Sequence, residues 1–80
     1  MKWEDYMGPG TLSVADIKDC VELVRLASDD PERAHMMEDE LHLKVLSVFA
    51  LGWYKSDDEC LDLADAALGT TSIDFPRWCA

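Results

Sequence analysis

Apolar residues recur every three or four positions in three stretches of the chain, which is the spacing typical of amphipathic helices. In the first stretch Ser13 stands just before the apolar positions and Asp16 follows three residues later. The Ser13 hydroxyl can therefore accept a hydrogen bond from an amide of the first helical turn, and the Asp16 carboxylate can accept one from the Ser13 amide, as in a capping box. We therefore predict a first helix from Ser13 to about Ser28. Its buried face is predicted to consist of Val14, Ile17, Cys20, Val21, Leu23, Val24 and Ala27.

The second predicted helix begins at the run Asp29-Asp30-Pro31-Glu32, because proline is tolerated in a first helical turn and an aspartate before it can act as a cap. The helix should extend over residues 31–51 and stop at Gly52. Its main apolar stripe consists of Ala34, Met37, Leu41, Val45 and Val48. A partial second stripe on the roughly opposite side consists of Met36, Leu43 and Ala50, and a helix that is apolar on two sides is expected to be central in the fold.

The third predicted helix opens with the capping box Ser56-Asp57-Asp58-Glu59, runs for about 12 residues and ends at Gly69. The residues expected to face inward are Cys60, Leu61, Ala64, Ala67 and Leu68. The residues expected to share the outer face are Asp58, Asp62 and Asp65.

Both ends of the chain carry aromatic residues that we expect to lie on the core. The turn cluster Gly8-Pro9-Gly10 predicts an irregular N-terminal arm over residues 1–12, with Trp3 and Tyr6 against the core. Residues 72–78 are too aromatic for a solvated end and should dock back on the helices, with room for one short turn. The predicted fold is therefore all-α: one domain spanning 1–80, a small three-helix bundle with an irregular N-terminal arm and a docked aromatic C-terminal tail.

Composition narrows the classes of partner and location. The chain has 80 residues, 17 of them acidic and 7 basic, for a net charge of -10, which argues against a nucleic-acid binder or a polybasic membrane module. No run approaches the ~18 apolar residues of a membrane span, and the charged N-terminus does not fit a secretory signal. The three cysteines are an odd number without a CxxC pair, which favours free thiols in a reducing compartment. We expect a cytoplasmic monomer whose partner is basic.

Candidate chemistry is sparse. His35, Glu38 and His42 share one side of the second helix, but histidines two turns apart are ~10 Å apart along its axis, so polar residues bordering a buried face are the favoured interpretation and no metal site is assigned. Cys20 and Cys60 lie on apolar faces that raise a thiol pKa and bury the sulfur, and no catalytic triad or phosphate loop occurs. We expect no enzyme activity and no cofactor.

The carboxylates are the most informative group. Three acidic clusters are expected at the surface, and together they contain Asp58, Asp62, Asp65, Glu38, Asp39, Glu40, Asp29, Asp30 and Glu32. Carboxylates three or four residues apart on a helix lie ~6 Å apart, a spacing close to that of successive phosphates, so such a helix can occupy a groove built for nucleic acid. The alternative is that the acidic surface only keeps the protein in solution. Most of the aromatic residues, Trp53 and Tyr54 among them, are expected to seal the core, but either of these two, if exposed beside the third helix, would instead serve as an interface anchor.

A further pattern lies in residues 31–80. It comprises Ala34-His35-Met36-Met37-Glu38-Asp39-Glu40-Leu41, then Val45-Leu46, Ala50 and Gly52, and finally Ile73-Asp74-Phe75-Pro76-Arg77-Trp78. This pattern resembles a group of small proteins encoded by phages and integrated phage-like elements. The size and acidity of the chain are also similar to those of anti-CRISPR proteins, in particular type I-C inhibitors.

The resemblance implies an inhibitor that occupies the DNA-binding surface of a crRNA-guided type I surveillance complex, at its repeated backbone subunits, and blocks target DNA. It carries over no catalytic residue. It also implies that the tail docks on the central helix, with Arg77 reaching an acidic partner such as Glu38 or Asp39. Two other interpretations stay open: a phage accessory or adaptor protein whose acidic surface is merely solubilising, and a metal-binding or redox module.

Overall fold

The computed structural model describes residues 2–77, and within this range the chain forms helices and loops without a β-strand. The α-helices are α1 (Trp3–Met7), α2 (Val14–Leu26), α3 (Pro31–Ala50) and α4 (Asp57–Ala67), and α4 continues into a 3₁₀ turn (Leu68–Ser72). Each of the three longer helices contacts the other two, and α1 packs on α2 and α3. The predicted all-α class is confirmed. No helix of the described range is long and apolar enough to cross a membrane.

The start of α2 is the predicted capping box. The Ser13 hydroxyl accepts a hydrogen bond from the Asp16 amide (3.1 Å), and the Asp16 carboxylate accepts one from the Ser13 amide (3.0 Å). The helix ends at Leu26, two residues before the predicted end at Ser28. Its buried side chains are Ile17, Cys20, Val21 and Val24, all from the predicted face.

Both ends of α3 also follow the predicted chemistry. The Asp30 carboxylate accepts a hydrogen bond from the Arg33 amide (3.2 Å), with proline in the first turn. At the other end Gly52 has a φ of 69°, the left-handed conformation that favours glycine. The Gly52 amide donates to the Phe49 carbonyl (3.1 Å) and the Trp53 amide to the Val48 carbonyl (2.9 Å), which is a Schellman stop.

The prediction that α3 is central is wrong. Its main stripe is buried as expected, but Met36 and Leu43 are 59% and 65% exposed, and Ala50 is exposed as well. A chain this short builds one core, so α1, α2 and α4 cover only part of the α3 surface and the opposite side faces solvent.

The start of α4 is half of the predicted capping box. The Ser56 hydroxyl accepts a hydrogen bond from the Glu59 amide (3.1 Å), but the Glu59 carboxylate accepts one from the Lys55 amide (3.4 Å) rather than from Ser56. The helix ends at Ala67, within two residues of the prediction. Gly69 does not end it by a left-handed turn, since the chain continues through it as the 3₁₀ turn, and its α-carbon faces the side chain of Val21.

The inward face of α4 differs from the prediction. The buried residues are Leu63 and Ala67, whereas Leu61 and Leu68 are 68% and 58% exposed. Residues two apart on a helix point about 200° away from each other, so when Leu63 faces the core Leu61 must face solvent. Of the other residues expected inside, Cys60 and Ala64 are half-buried.

The first part of the N-terminal arm is the helix α1, which corrects the prediction of an irregular arm there, whereas residues 8–12 with the Gly8-Pro9-Gly10 cluster are irregular as predicted. The Lys2 amide donates to the Asp5 carboxylate (3.1 Å), which caps the single turn of α1 before Gly8 ends it. The expected contact with the core is confirmed, since Tyr6 is buried and its hydroxyl donates to the Asp19 carboxylate (3.1 Å).

The C-terminal tail docks on the helices as predicted, with Ile73 and Phe75 buried, but residues 73–77 form no helical turn, since the 3₁₀ turn ends at Ser72 where the predicted tail begins. Trp78, which was also expected to dock, lies outside the described residues.

Candidate protein-binding surface

The outer face of α4 carries three carboxylates that the fold does not use. Asp58, Asp62 and Asp65 are exposed as predicted, and none forms an ion pair or side-chain hydrogen bond with another residue of the range 2–77. They stand at i, i+4 and i+7, so they extend over about 10 Å along the helix axis with neighbours about 6 Å apart. Asp58 is favourable in the first turn because of the helix dipole, but Asp62 and Asp65 lie beyond that turn.

The segment of sequence that contains this face has no lysine or arginine to compensate its negative charge. Between Lys55 and Arg77 the chain has six acidic residues and no lysine or arginine. Arg77 itself is half-buried and pairs with Glu38. The carboxylates of α4 therefore generate a negative potential that neighbouring side chains of this segment do not cancel.

The second predicted cluster is partly used by the fold. Asp29, Asp30 and Glu32 are exposed, but the Asp30 carboxylate caps α3. Asp29 and Asp30 line an open cavity of about 450 Å³ that Lys2 and Arg33 also line, so the charge of this region is mixed.

The third predicted cluster is divided by the helix geometry. Asp39 and Glu40 are exposed, and an Asp39 oxygen lies 3.6 Å from Nε2 of His35. Glu38 is only 5% exposed, because successive helical residues point about 100° apart and Glu38 lies on the side that the tail covers. Glu38 is therefore not available to a partner, which corrects its assignment to a surface cluster.

Glu38 and Arg77 form a two-pronged ion pair between α3 and the tail. Nε of Arg77 donates to one Glu38 oxygen (2.8 Å) and an Nη to the other (3.1 Å), as the resemblance implied. Burial alone would raise the pKa of Glu38, but hydrogen bonds from Arg77 and Thr70 and the positive charge of Arg77 outweigh it, so the pKa lies below its usual value.

The same guanidinium also holds the backbone of the tail. It lies within hydrogen-bonding distance of the carbonyls of Thr70 (2.8 Å), Ile73 (3.2 Å) and Phe75 (3.3 Å). Its central carbon is 3.9 Å from the centre of the Phe75 ring, a cation–π contact. Arg77 is therefore a structural residue.

His35, Glu38 and His42, which share one side of α3, are engaged in contacts within the fold. Nε2 of His42 lies 3.2 Å from the Ala67 carbonyl and 3.0 Å from the Thr70 hydroxyl, so it ties α3 to the end of α4. Glu38 is engaged by Arg77 and His35 faces Asp39. Within residues 2–77 no three histidine, cysteine or acidic side chains are placed to hold a metal ion.

The cysteines of the described range are free thiols. Cys20 is buried in the core, and burial followed by the charges of Asp16 and Asp19 raises its pKa to about 12. A thiol with this pKa is protonated at neutral pH and is a poor nucleophile, so the predicted effect of the apolar face is confirmed for Cys20. Cys60 is half-buried.

Two aromatic residues are exposed beside the start of α4. Trp53 and Tyr54 are 45% and 37% exposed, the condition under which they were expected to act as interface anchors. Tyr54 packs edge-to-face on Phe49 with ring centres 6.2 Å apart. The Thr11 hydroxyl donates to the Trp53 carbonyl (3.1 Å), which fixes the loop before α4.

The sequence reasoning missed an apolar surface next to the acidic face. Leu68 lines a groove of about 290 Å³ between α3 and α4, and Leu61 is exposed one turn before the groove-lining Ala64, although both leucines were expected inside. A signal was present in the spacing, because Leu61 and Leu63 cannot both face the same core.

Comparison with known proteins gives no relative from which a function could be transferred: no family model, no curated protein and no solved structure matches the chain. The chemistry of the surface therefore carries the functional interpretation. On that surface the unpaired carboxylates of α4 are the most distinctive group.

Proposed function

We propose that the protein is a non-enzymatic inhibitor that binds the nucleic-acid-binding surface of a basic protein by mimicry of DNA. The partner we propose is a type I CRISPR surveillance complex, contacted at its backbone subunits, so that target DNA no longer binds. The protein would act as a cytoplasmic monomer, with α2, α3 and α4 as a three-helix bundle that presents the acidic face. The observation that supports the proposal is the row of exposed carboxylates Asp58, Asp62 and Asp65 on one capped helix, none of which has a partner among the residues that the structure describes.

The physical basis is the replacement of phosphates by carboxylates. A groove lined by lysine and arginine attracts any rigid array of negative charge with a similar spacing, and binding releases the ions that neutralise the two surfaces. The array on α4 is pre-organised, since the helix is capped at Ser56 and packed through Leu63. The carboxylates of Asp30 and Glu38 are used within the fold, so α4 is the strongest of the three acidic clusters.

A second function is supported by the same net charge. A phage accessory or adaptor protein would need the acidic surface only for solubility. In that case the positions of Asp58, Asp62 and Asp65 would not affect any binding event. The two functions therefore predict different effects of charge reversal on α4: it should weaken partner binding by an inhibitor and should leave an accessory protein's binding unchanged.

The test is displacement of labelled target DNA from a purified type I surveillance complex. A triple variant, Asp58→Lys with Asp62→Lys and Asp65→Lys, should displace DNA at least about tenfold less well than the wild type, because each reversed charge repels the basic surface. Displacement by the wild type should also weaken steeply as salt is raised. Melting curves should stay close to that of the wild type, since exposed substitutions usually change stability by no more than ~0.5 kcal/mol each.

The matched control is a second triple variant, Glu4→Lys with Asp29→Lys and Glu32→Lys, which changes the net charge by the same amount away from α4. It should displace DNA nearly as well as the wild type. Equal weakening by both variants would mean that total charge matters and the α4 face does not. No displacement by the wild type would support the accessory-protein function instead.

A further inference from the structure

The groove between α3 and α4 is lined almost entirely by apolar side chains. Its volume is about 290 Å³, and its lining includes Val45, Leu46, Phe49, Ala64, Ala67 and Leu68. Leu46 is 61% exposed and Leu68 58% exposed, so the rims project into solvent. At one end Phe49 is in contact with the exposed ring of Tyr54, which extends the apolar surface toward the loop before α4.

Leucine and aspartate alternate in a row that runs beside the α4 wall of this groove and meets it at Leu68. Asp58, Leu61, Asp65 and Leu68 are separated by three, four and three residues, so they form one row on the helix surface. All four are exposed, with Leu61 at 68%. A surface that only imitates phosphates has no use for leucines in this row, because a phosphate-binding channel is polar.

We infer that the groove and this row form a docking site for a basic amphipathic helix of the partner protein. The inference rests on the proposed function and specifies that the part of the basic partner that binds is a helix. Apolar side chains of the incoming helix enter the groove beside Phe49 and Leu68, and flanking lysines or arginines meet Asp58 and Asp65. This is the helix-in-groove mode of recognition, in which one apolar stripe of the ligand supplies the anchors.

The backbone around the groove favours a helix over an extended segment. The groove-lining residues belong to α3 and α4 or follow directly after α4, where the main-chain amides and carbonyls serve the helical hydrogen bonds. An added strand would find no free edge to pair with, whereas a helix satisfies its own backbone groups. Two packed helices also leave between them the depression in which a third helix fits.

Charge argues against a second copy of this chain as the occupant. Each copy has a net charge of -10, and a symmetric contact through the row would bring the carboxylates of Asp58 and Asp65 close to those of the other copy. A helix with lysine or arginine beside its apolar stripe has the complementary charge. We therefore assign the site to a basic partner helix.

The test uses three fluorescent peptides of about 18 residues. The first has leucines at i, i+3, i+4 and i+7 flanked by lysines, the second has alanine in place of the leucines, and the third has glutamate in place of the lysines. Fluorescence anisotropy should show that the wild type binds the first peptide at least about tenfold more tightly than either of the others. Equal affinity for the first and second peptides would overturn the inference, because charge alone would then explain binding.

Variants locate the site. Leu61→Ser combined with Leu68→Ser should weaken binding of the leucine–lysine peptide by about tenfold or more without changing binding of the alanine–lysine peptide. The matched control is Leu26→Ser combined with Leu51→Ser, two exposed leucines that belong neither to the groove lining nor to the row Asp58, Leu61, Asp65 and Leu68, and it should bind like the wild type. Equal loss in both double variants would overturn the inference.

Two further measurements separate this inference from its alternatives. Sedimentation of the wild type should show a monomer, and a dimer that Leu61→Ser with Leu68→Ser dissociates would assign the face to a second copy and overturn the inference. In the DNA-displacement assay, displacement that is insensitive to the groove variant would overturn the inference and leave the proposed function standing. Failure of the wild type to displace DNA, with leucine-dependent peptide binding intact, would refute the DNA-mimic function while supporting the helix site.

Discussion

Replacement of Arg77 by alanine is expected to destabilise the fold by more than any change at an exposed charge. The guanidinium joins two elements that are 39 residues apart, since it pairs with Glu38 of α3 and also binds three tail carbonyls. Arg77→Ala removes all of these contacts at once. It also leaves the carboxylate of Glu38 buried without its cation.

The magnitude follows from the burial of the two partners. Removing one member of a fully buried ion pair costs about 3 to 5 kcal/mol, because the other charge stays desolvated. Here the side chain of Glu38 is 6% exposed but that of Arg77 is 34% exposed, so water can reach the vacated position and the full figure must be reduced. We expect a loss of about 2 to 3 kcal/mol in the free energy of unfolding. For a domain of this size that is a decrease in melting temperature on the order of 10 to 20 °C.

The assay is urea unfolding followed by far-UV circular dichroism. Arg25→Ala is the matched control, because the Arg25–Glu22 pair is exposed on both sides (51% and 58%) and should contribute less than about 0.5 kcal/mol. The double variant Arg77→Ala with Glu38→Gln should recover part of the stability, since no buried charge is then left unpaired. Equal melting temperatures for Arg77→Ala and Arg25→Ala would refute the reasoning, and the tail would then contribute nothing to the fold.

Three further predictions concern other positions. Gly52→Ala should lower the free energy of unfolding by about 1 kcal/mol because the φ of Gly52 is 69°. Gly69→Ala should leave it unchanged or raise it, because the φ of Gly69 is not positive and an added Cβ would lie at an ordinary contact distance of 3.5 Å from Val21. Urea unfolding of both variants checks this. In variants that retain a single cysteine, a maleimide should label the half-buried Cys60 in the folded protein but should label Cys20 only after unfolding. Rapid labelling of Cys20 in the folded protein would contradict its burial. Folding lowers the pKa of Glu38, so ionisation of Glu38 stabilises the folded state above the ordinary pKa of 4.5, and this stabilisation is lost as pH falls through the lowered pKa. The difference in free energy of unfolding between wild type and Glu38→Gln should therefore shrink as pH falls from about 6 toward 3. A constant difference would disprove this linkage.

The ends of the helices could be predicted because they depend on local chemistry. Ser13, Asp30 and Ser56 each accept a hydrogen bond from an amide three residues later, and Gly52 takes the left-handed conformation that a Schellman stop requires. Each of these interactions involves residues within one turn, so the local sequence contains all the participants.

The faces of the helices could be predicted only in part, since they depend on what packs from elsewhere. The period of α4 permits either Leu61 or Leu63 to face the core, and the contacts of α4 with α2 and α3 select Leu63. In the same way Met36 and Leu43 are exposed because no element within residues 2–77 covers that side of α3. Periodicity indicates that a helix has an apolar face but does not state how many faces the rest of the chain can cover.

The candidate site was predictable where it depends on charge and unpredictable where it depends on burial. The carboxylates of α4 are exposed as expected, because an aspartate without a partner is rarely buried. Glu38 was assigned to the surface with its acidic neighbours, yet Arg77 of the tail pairs with it and allows its burial. The exposed leucines Leu61 and Leu68 were missed because the sequence pattern placed them in the core.

The distribution of the cations explains why the acidic face is not neutralised. Arg77 is directed inward to Glu38 and to tail carbonyls, and the ammonium of Lys44 donates to the Gly8 carbonyl between α3 and the N-terminal turn. These two cations therefore stabilise the interior instead of pairing with surface carboxylates. Since no lysine or arginine occurs between Lys55 and Arg77, the charged residues of α4 are all acidic. The exposed carboxylates Asp58, Asp62 and Asp65 give α4 an electrostatic surface suited to a basic partner, and the exposed leucines Leu61 and Leu68 beside them supply the apolar contacts that charge by itself does not provide.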